Sequence, residues 1–151
     1  MPVKQRIYLD TSVISALDDL RHPERAEMTR AFWMRLSEFE PCSSEAIRME
    51  IIGTQDESRR GELLRILPQI LIHPVTDDMR LLARSYVEAG VFGEAVLTDA
   101  LHVAAAVLTQ CEVLVSWNFR HLVNRRRRAA VVAINVEQGL PSIEIVAPPE
   151  I

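Results

Sequence analysis

Three acidic side chains stand where this sequence can put them to chemical use. Asp10, in the run Asp10-Thr11-Ser12, directly follows a short apolar segment; Glu50 borders the apolar side of a helical stretch; Asp99 opens an alanine-rich one. Each has an ordinary structural use. Asp10 or its hydroxyl neighbours suit a helix N-cap. Glu50 suits an ion pair with Arg48 or another arginine, because an unpaired carboxylate drawn toward a core is expensive. Asp99 suits the first turn of a helix, where the macrodipole favours an acid. Gathered at one pole they have a further use. Carboxylates that close repel unless a cation holds them, and hard oxygen ligands select Mg²⁺ or Mn²⁺. That chemistry suits phosphodiester hydrolysis, where the metal activates water and stabilises transition-state charge. Ser116, Trp117 and Asn118 follow another apolar run. Asn118 can cap a helix starting at Phe119 or orient a metal-bound water through its carbonyl oxygen. His102, one turn beyond Asp99, suits either a packed, hydrogen-bonded role or a contact behind the site.

These residues meet only if the elements between them allow it. Apolar runs at Arg6–Leu9, Pro41–Cys42, 69–73, 112–116 and 143–146 read as strands. Helical patterns separate them: 23–39, 44–52, 59–67 (stopped by Pro68), 76–89 (capped by Thr76, closed by Gly90), 98–110, and 119–138 with a break near its arginines. Strands alternating with helices predict an α/β fold with a parallel sheet covered on both faces. Ligands in such folds bind beyond the carboxyl ends of the strands, and Asp10 and Ser116 lie there. Phe32, Trp33, Leu36 and Phe39 form a stripe that suits the core or a groove for a partner.

The chain has 151 residues, 48% of them hydrophobic and 25% charged, which fits one folded domain with a core at about 6–146 and a short tail, 147–151. Nothing suggests a membrane span or a signal segment, so a cytoplasmic protein is expected. Cys42 and Cys111 lack ligand spacing and read as two buried, inert thiols. With five glycines and no phosphate-loop or dinucleotide fingerprint, nucleotide binding of those kinds is excluded. An Asp-nucleophile phosphatase normally needs a second Asp two residues after the first, and Ser12 occupies that place. The net charge of −4 argues at first sight against a nucleic-acid partner. Its distribution argues the other way. The bases are sixteen Arg and one Lys, and 117–136 holds no acid but includes Arg120, Arg125, Arg126, Arg127 and Arg128. Arg suits phosphate through its planar fork, so this stretch is either a solvated helix face or an edge that tracks phosphates.

The segments Tyr8 to Ile14 (YLDTSVI), the Glu50 helix, Thr98 to Ala104 (TDALHVA) and Val115 to His121 (VSWNFRH) resemble, in order, the successive motifs of a PIN domain. The resemblance runs from Ile7 to about Val146, and the compact single-domain form is similar to VapC-type toxins of bacterial toxin–antitoxin pairs. It implies a three-layer α/β/α fold around a central parallel five-stranded sheet and Mg²⁺- or Mn²⁺-dependent endoribonuclease activity. Asp10, Glu50 and Asp99 match the three metal-holding acids. Asn118 stands at the fourth, often acidic, position, which weakens a second metal more than a first. Ser116 matches the hydroxyl position before it, and Thr11 or Ser12 assists the first acid. Arg120, Arg125 and Arg126 are the RNA-facing candidates. The resemblance also implies an RNA substrate, a cognate antitoxin and a homodimer. The alternative, prompted by Asn118, is a PIN-like module that binds RNA or protein without efficient cleavage.

Overall fold

The run Arg6–Leu9 forms β1, and Ile7, Tyr8 and Leu9 are all fully buried. Successive side chains on a strand point to opposite faces, so both faces of β1 are covered. The computed structural model describes residues 3–151. Four further strands follow: β2 (Glu40–Ser44), β3 (Leu71–His73), β4 (Val113–Val115) and β5 (Glu144–Val146). All pair in parallel, in the order β3-β2-β1-β4-β5. The chain thus builds outward from β1 on one side, then returns to pair β4 with its other edge. That reversal opens a crevice at the carboxyl ends of β1 and β4, the place where open parallel sheets bind ligands.

The helices are α1 (Thr11–Ala16), α2 (Pro23–Met34), α3 (Glu45–Ile52), α4 (Glu57–Ile66), α5 (Asp77–Glu88), α6 (Leu97–Leu108) and α7 (Arg125–Glu137). Short polar side chains start many of them. Asp10 accepts from the Ser12 amide at α1, Ser44 from Ala46 at α3, Asp56 from Arg59 at α4 and Thr76 from Met79 at α5. Gly90, at φ +78°, takes the chain out of α5 in the left-handed region where a side chain is disfavoured. The small residues of α6 let it lie close to the sheet: Ala100, Val103, Ala104, Ala105 and Ala106 have no exposed surface. This fixes the first turn of α6, with Asp99, against the sheet rim.

Several expected boundaries move. The stretch 23–39 is helical only to Met34, with a 3₁₀ turn at Leu36–Glu38. Phe32 is core, while Trp33, Leu36 and Phe39 are partly buried against it. The last helix starts at Arg125, not at Phe119, because the Asn124 side chain accepts from the Arg127 amide and sets the N-terminus there. The tail is ordered: Pro148–Glu150 form a 3₁₀ turn, Ala147 and Pro148 are buried, and Arg35 donates to the Ile151 carbonyl at 2.9 Å. Cys42 and Cys111 are buried, as expected, but not apart. Their sulfurs are 3.3 Å from each other across 69 residues of sequence, and that contact, with burial, pushes the Cys42 thiol up.

Close packing of α6 makes a direct prediction. Ala104→Leu adds volume where none is free and lowers stability by about 1–3 kcal/mol in urea denaturation. A neutral effect would contradict the tight seating of this helix.

Candidate active site

Asp10 leaves β1 at its carboxyl end, tied by its amide to the Val115 carbonyl of β4 at 3.3 Å, and is 3% exposed. Such a carboxylate needs donors, and the chain supplies three. Its Oδ1 accepts from the Ser12 amide at 3.1 Å and the Ser12 hydroxyl at 2.5 Å, and its Oδ2 accepts from the Ser116 hydroxyl at 2.6 Å. Backbone amides set the direction of those hydroxyls. The Trp117 amide donates to Ser12 Oγ at 2.8 Å and the Asn118 amide to Ser116 Oγ at 2.9 Å. Each serine therefore accepts from the backbone and turns its one proton to Asp10. Burial raises the Asp10 carboxyl above its usual range, against the lowering effects of His102 and the two serines.

Glu50 projects from α3 into the same pole with 37% of its side chain exposed. Its Oε1 meets His102 Nε2 at 2.5 Å and accepts from the Thr11 hydroxyl at 2.7 Å. The opposite ring nitrogen, Nδ1, is 2.6 Å from the Tyr8 hydroxyl, which is 2.7 Å from Ser44 Oγ. Burial disfavours charge on His102, but the hydrogen bond and charge of Glu50, helped by Asp10 and Asp99, raise it overall. Burial likewise opposes charge on Glu50, and His102 and Thr11 outweigh it to lower that carboxyl. The Tyr8 hydroxyl, pushed far up by burial, stays a phenol. His102 is thus both a packed histidine and the partner that orients Glu50. Arg48, the other expected partner, pairs with Glu45 instead.

Asp99 completes the trio from the first turn of α6. Its carboxyl is raised to about 6, first by burial, with Asp10 and Glu50 adding repulsion and His102 and Arg127 opposing it. Asn118 Nδ2 approaches Asp99 Oδ2 at 3.4 Å, while Asn118 Oδ1 accepts from the His121 amide at 3.0 Å. The backbone amide can only donate, so the carbonyl oxygen of Asn118 is committed to a turn and its amide group faces the acid. It caps no helix at Phe119, where the chain forms a turn instead. Among the described residues, no three His, Cys, Asp or Glu side chains already stand close enough to cage a metal.

Two cavities flank this pole. One, of about 290 Å³, is lined by Ser12, Trp117 and Asn118 together with His22 and Arg25. The Arg25 guanidinium lies 5.3 Å from the Trp117 ring centre and 5.4 Å from that of Phe119. The other, of about 590 Å³, is lined by Arg120, Arg126 and Arg127. Arg125 is exposed outside that cavity, and Arg128 is turned away to the Ile145 carbonyl at 3.1 Å. Tyr8 and Ser44, which no local signal marks, stand behind the site, and Arg127 lines the cavity where Arg125 was expected to face RNA. Tyr8 was concealed by its place among apolar strand residues.

No family model matches the sequence, and no curated protein matches it. Solved structures do match. VapBC2 from Rickettsia felis, bound to a DNA fragment from its promoter, superposes with a TM-score of 0.59 at 14% identity, covering 95% of this chain and 98% of that one. A toxin–antitoxin complex from Klebsiella pneumoniae gives 0.56 at 18% identity over 76% and 88%. VapC20 of Mycobacterium tuberculosis, a sarcin–ricin loop cleaving toxin, gives 0.53 at 17% over 72% and 86%. The chain shares the fold of these solved structures. The expected α/β architecture around a central sheet of five parallel strands is present, with seven helices among the described residues. In this fold Asp10 stands at the carboxyl end of β1, with Glu50 and Asp99 reaching the same pole from α3 and α6.

The buried acids make stability depend on pH. Asp99 is harder to ionise folded than unfolded, so the native state holds the extra proton between the ordinary value of 3.8 and about 6. Stability of the metal-free protein relative to Asp99→Asn should therefore be greatest below that window and fall as pH rises through it, by about 1–3 kcal/mol. Urea titrations at pH 4 and 7 read the difference; a pH-independent gap would contradict this electrostatic account.

Proposed function

We propose that the protein is a metal-dependent endoribonuclease that hydrolyses RNA phosphodiester bonds as the toxin of a toxin–antitoxin pair. The observation that carries the proposal is one linked arrangement of the three acids: Ser116 donates to Asp10 and accepts from the Asn118 amide, Asn118 approaches Asp99, and His102, on the same helix as Asp99, holds Glu50. The VapC fold supports the reading, as does the activity named for the Mycobacterium relative.

The donor set fits a hard divalent cation, Mg²⁺ or Mn²⁺, because it consists of carboxylate oxygens and hydroxyls with no thiolate. An ionised carboxylate offers roughly four acceptor positions. Asp10 uses three and Asp99 one long contact, while Glu50 takes both its bonds on Oε1 and leaves Oε2 without a partner among the described residues. Asp10, Asp99 and Glu50 would hold the ion. When bound, it lowers the pKa of coordinated water and offsets charge on the phosphate.

The remaining work belongs to the chain. Ser12 and Ser116 donate to Asp10 and so favour its ionised form against its burial. His102 and Thr11 fix one oxygen of Glu50 and leave the other facing the pole. Asn118 steadies Asp99 through its amide group. Arg120, Arg125 and Arg126 offer cations to the RNA backbone beside that pole. A second reading, a module that binds RNA or a protein without efficient cleavage, is favoured by one observation: the fourth position carries a neutral donor aimed at Asp99 instead of another acid.

RNA cleavage in Mn²⁺ decides between them. Asp10→Asn should abolish cleavage with the circular dichroism spectrum unchanged, and Ser116→Ala, which frees one oxygen of Asp10, should cost about 10- to 100-fold. Cleavage undiminished in Asp10→Asn would overturn the assignment. No cleavage by the wild type on any RNA offered would favour the binding module.

A further inference from the structure

The cavity of about 590 Å³ beside Asn118 is lined by Arg120, Arg126 and Arg127, with Phe119, Asn124 and Val91 between them. Among the described residues, none of the three guanidinium groups pairs with a carboxylate. Arg127 is the unusual member. Its Cζ lies 4.6 Å from the ring centre of Phe92, a residue 2% exposed, and its Nη1 is buried with no hydrogen-bond partner. A charged donor left unpaired away from water is costly, and three like charges around one cavity repel. A single anion bound in the cavity relieves that repulsion and offers the Arg127 guanidinium an acceptor. The Phe92 ring face holds that guanidinium at the cavity wall.

Chain continuity names the anion. Phe119 and Arg120 line the cavity and follow Asn118 directly, and Asn118 Nδ2 lies 3.4 Å from Asp99 Oδ2, so the cavity adjoins the carboxylate pole. A ligand filling both places presents one phosphate to the acids and another to the arginines. We propose that this cavity holds a phosphodiester group of single-stranded RNA next to the one cleaved, with Arg127 as its fixed anchor and Arg120 and Arg126 closing around it. The identity of the ligand rests on the ribonuclease reading; the anion site itself does not.

Binding of a labelled single-stranded RNA decamer in EDTA, where metal-dependent cleavage cannot occur, tests the proposal by fluorescence anisotropy. Arg127→Ala should weaken binding about tenfold and reduce the slope of log affinity against log salt by about 0.7. Arg127→Lys should restore the slope but not the full affinity, since the charge returns without the fork. Arg80→Ala, on the far end of α5, should change neither. A neutral methylphosphonate moved along the decamer should weaken wild-type binding at one linkage by a similar factor and have no further effect there in Arg127→Ala. Equal losses in both proteins, or unchanged binding in Arg127→Ala, would overturn the site. Displacement of the RNA by a hexaglutamate peptide at lower concentration than by unlabelled RNA would also overturn it and assign the cavity to an acidic protein segment. RNA binding that depends on Arg127 in a protein that cleaves no RNA in Mn²⁺ would leave the site standing and remove the nuclease reading. Cleavage with Arg127-independent binding would do the reverse.

Discussion

A carboxylate almost fully withdrawn from water at the end of a central strand must be met by donors, and the rest of this molecule is arranged around meeting that need at Asp10. The strand order puts β4 beside β1, and the residue after β4 is Ser116, whose proton reaches Asp10 Oδ2. The start of α1 turns Ser12 back onto Oδ1. Two amides of the segment after β4 then orient both hydroxyls. The same contacts that tie β1 to β4 therefore prepare the acid. Losing one of them leaves a buried oxygen unsatisfied, which is more costly than the bond itself is stabilising.

The second acid is held by a different device. Tyr8 lies within the core strand and Glu50 at the rim, and His102 spans them with one nitrogen on each. The ring thereby carries the rigidity of the core out to a side chain still 37% exposed. Thr11 and Ser12, adjacent in sequence, serve different acids: the first donates to Glu50 and the second to Asp10. Asp99 has only a long contact with Asn118 and feels the other two carboxylates. Three carboxyl groups share this pole with one histidine, and the proposed divalent cation would balance their charge.

The parts of this arrangement that depend on short stretches of chain were legible in the sequence. Arg6–Leu9 has to be a buried strand, so Asp10 has to stand at its end, and the alanine pattern of α6 has to press Asp99 to the rim. What escaped were contacts made through space. Nothing near Tyr8 indicates that its hydroxyl meets His102 across 94 residues, and nothing near Cys42 indicates Cys111. The arginine run was visible but its phase was not. Asn124 fixes where α7 begins, and that start decides that Arg126 and Arg127 line the cavity while Arg125 does not. Asn118 stands beside Asp99, and its carbonyl oxygen accepts from the His121 amide in a turn that local propensity does not announce.

Charge separation follows from the same topology. A net charge of −4 conceals an acidic pole and, immediately after Asn118, an acid-free stretch with five arginines. The two lie side by side because the segment after β4 supplies the serine and asparagine of one and the first arginine of the other. The central claim is that the acidic pole is built to receive a divalent cation. Calorimetric titration of the folded protein with Mn²⁺ at neutral pH tests it most directly. The account predicts saturable binding that disappears in Asp10→Asn. Heat indistinguishable from dilution in a folded wild-type protein, or binding that survives in Asp10→Asn, would contradict it.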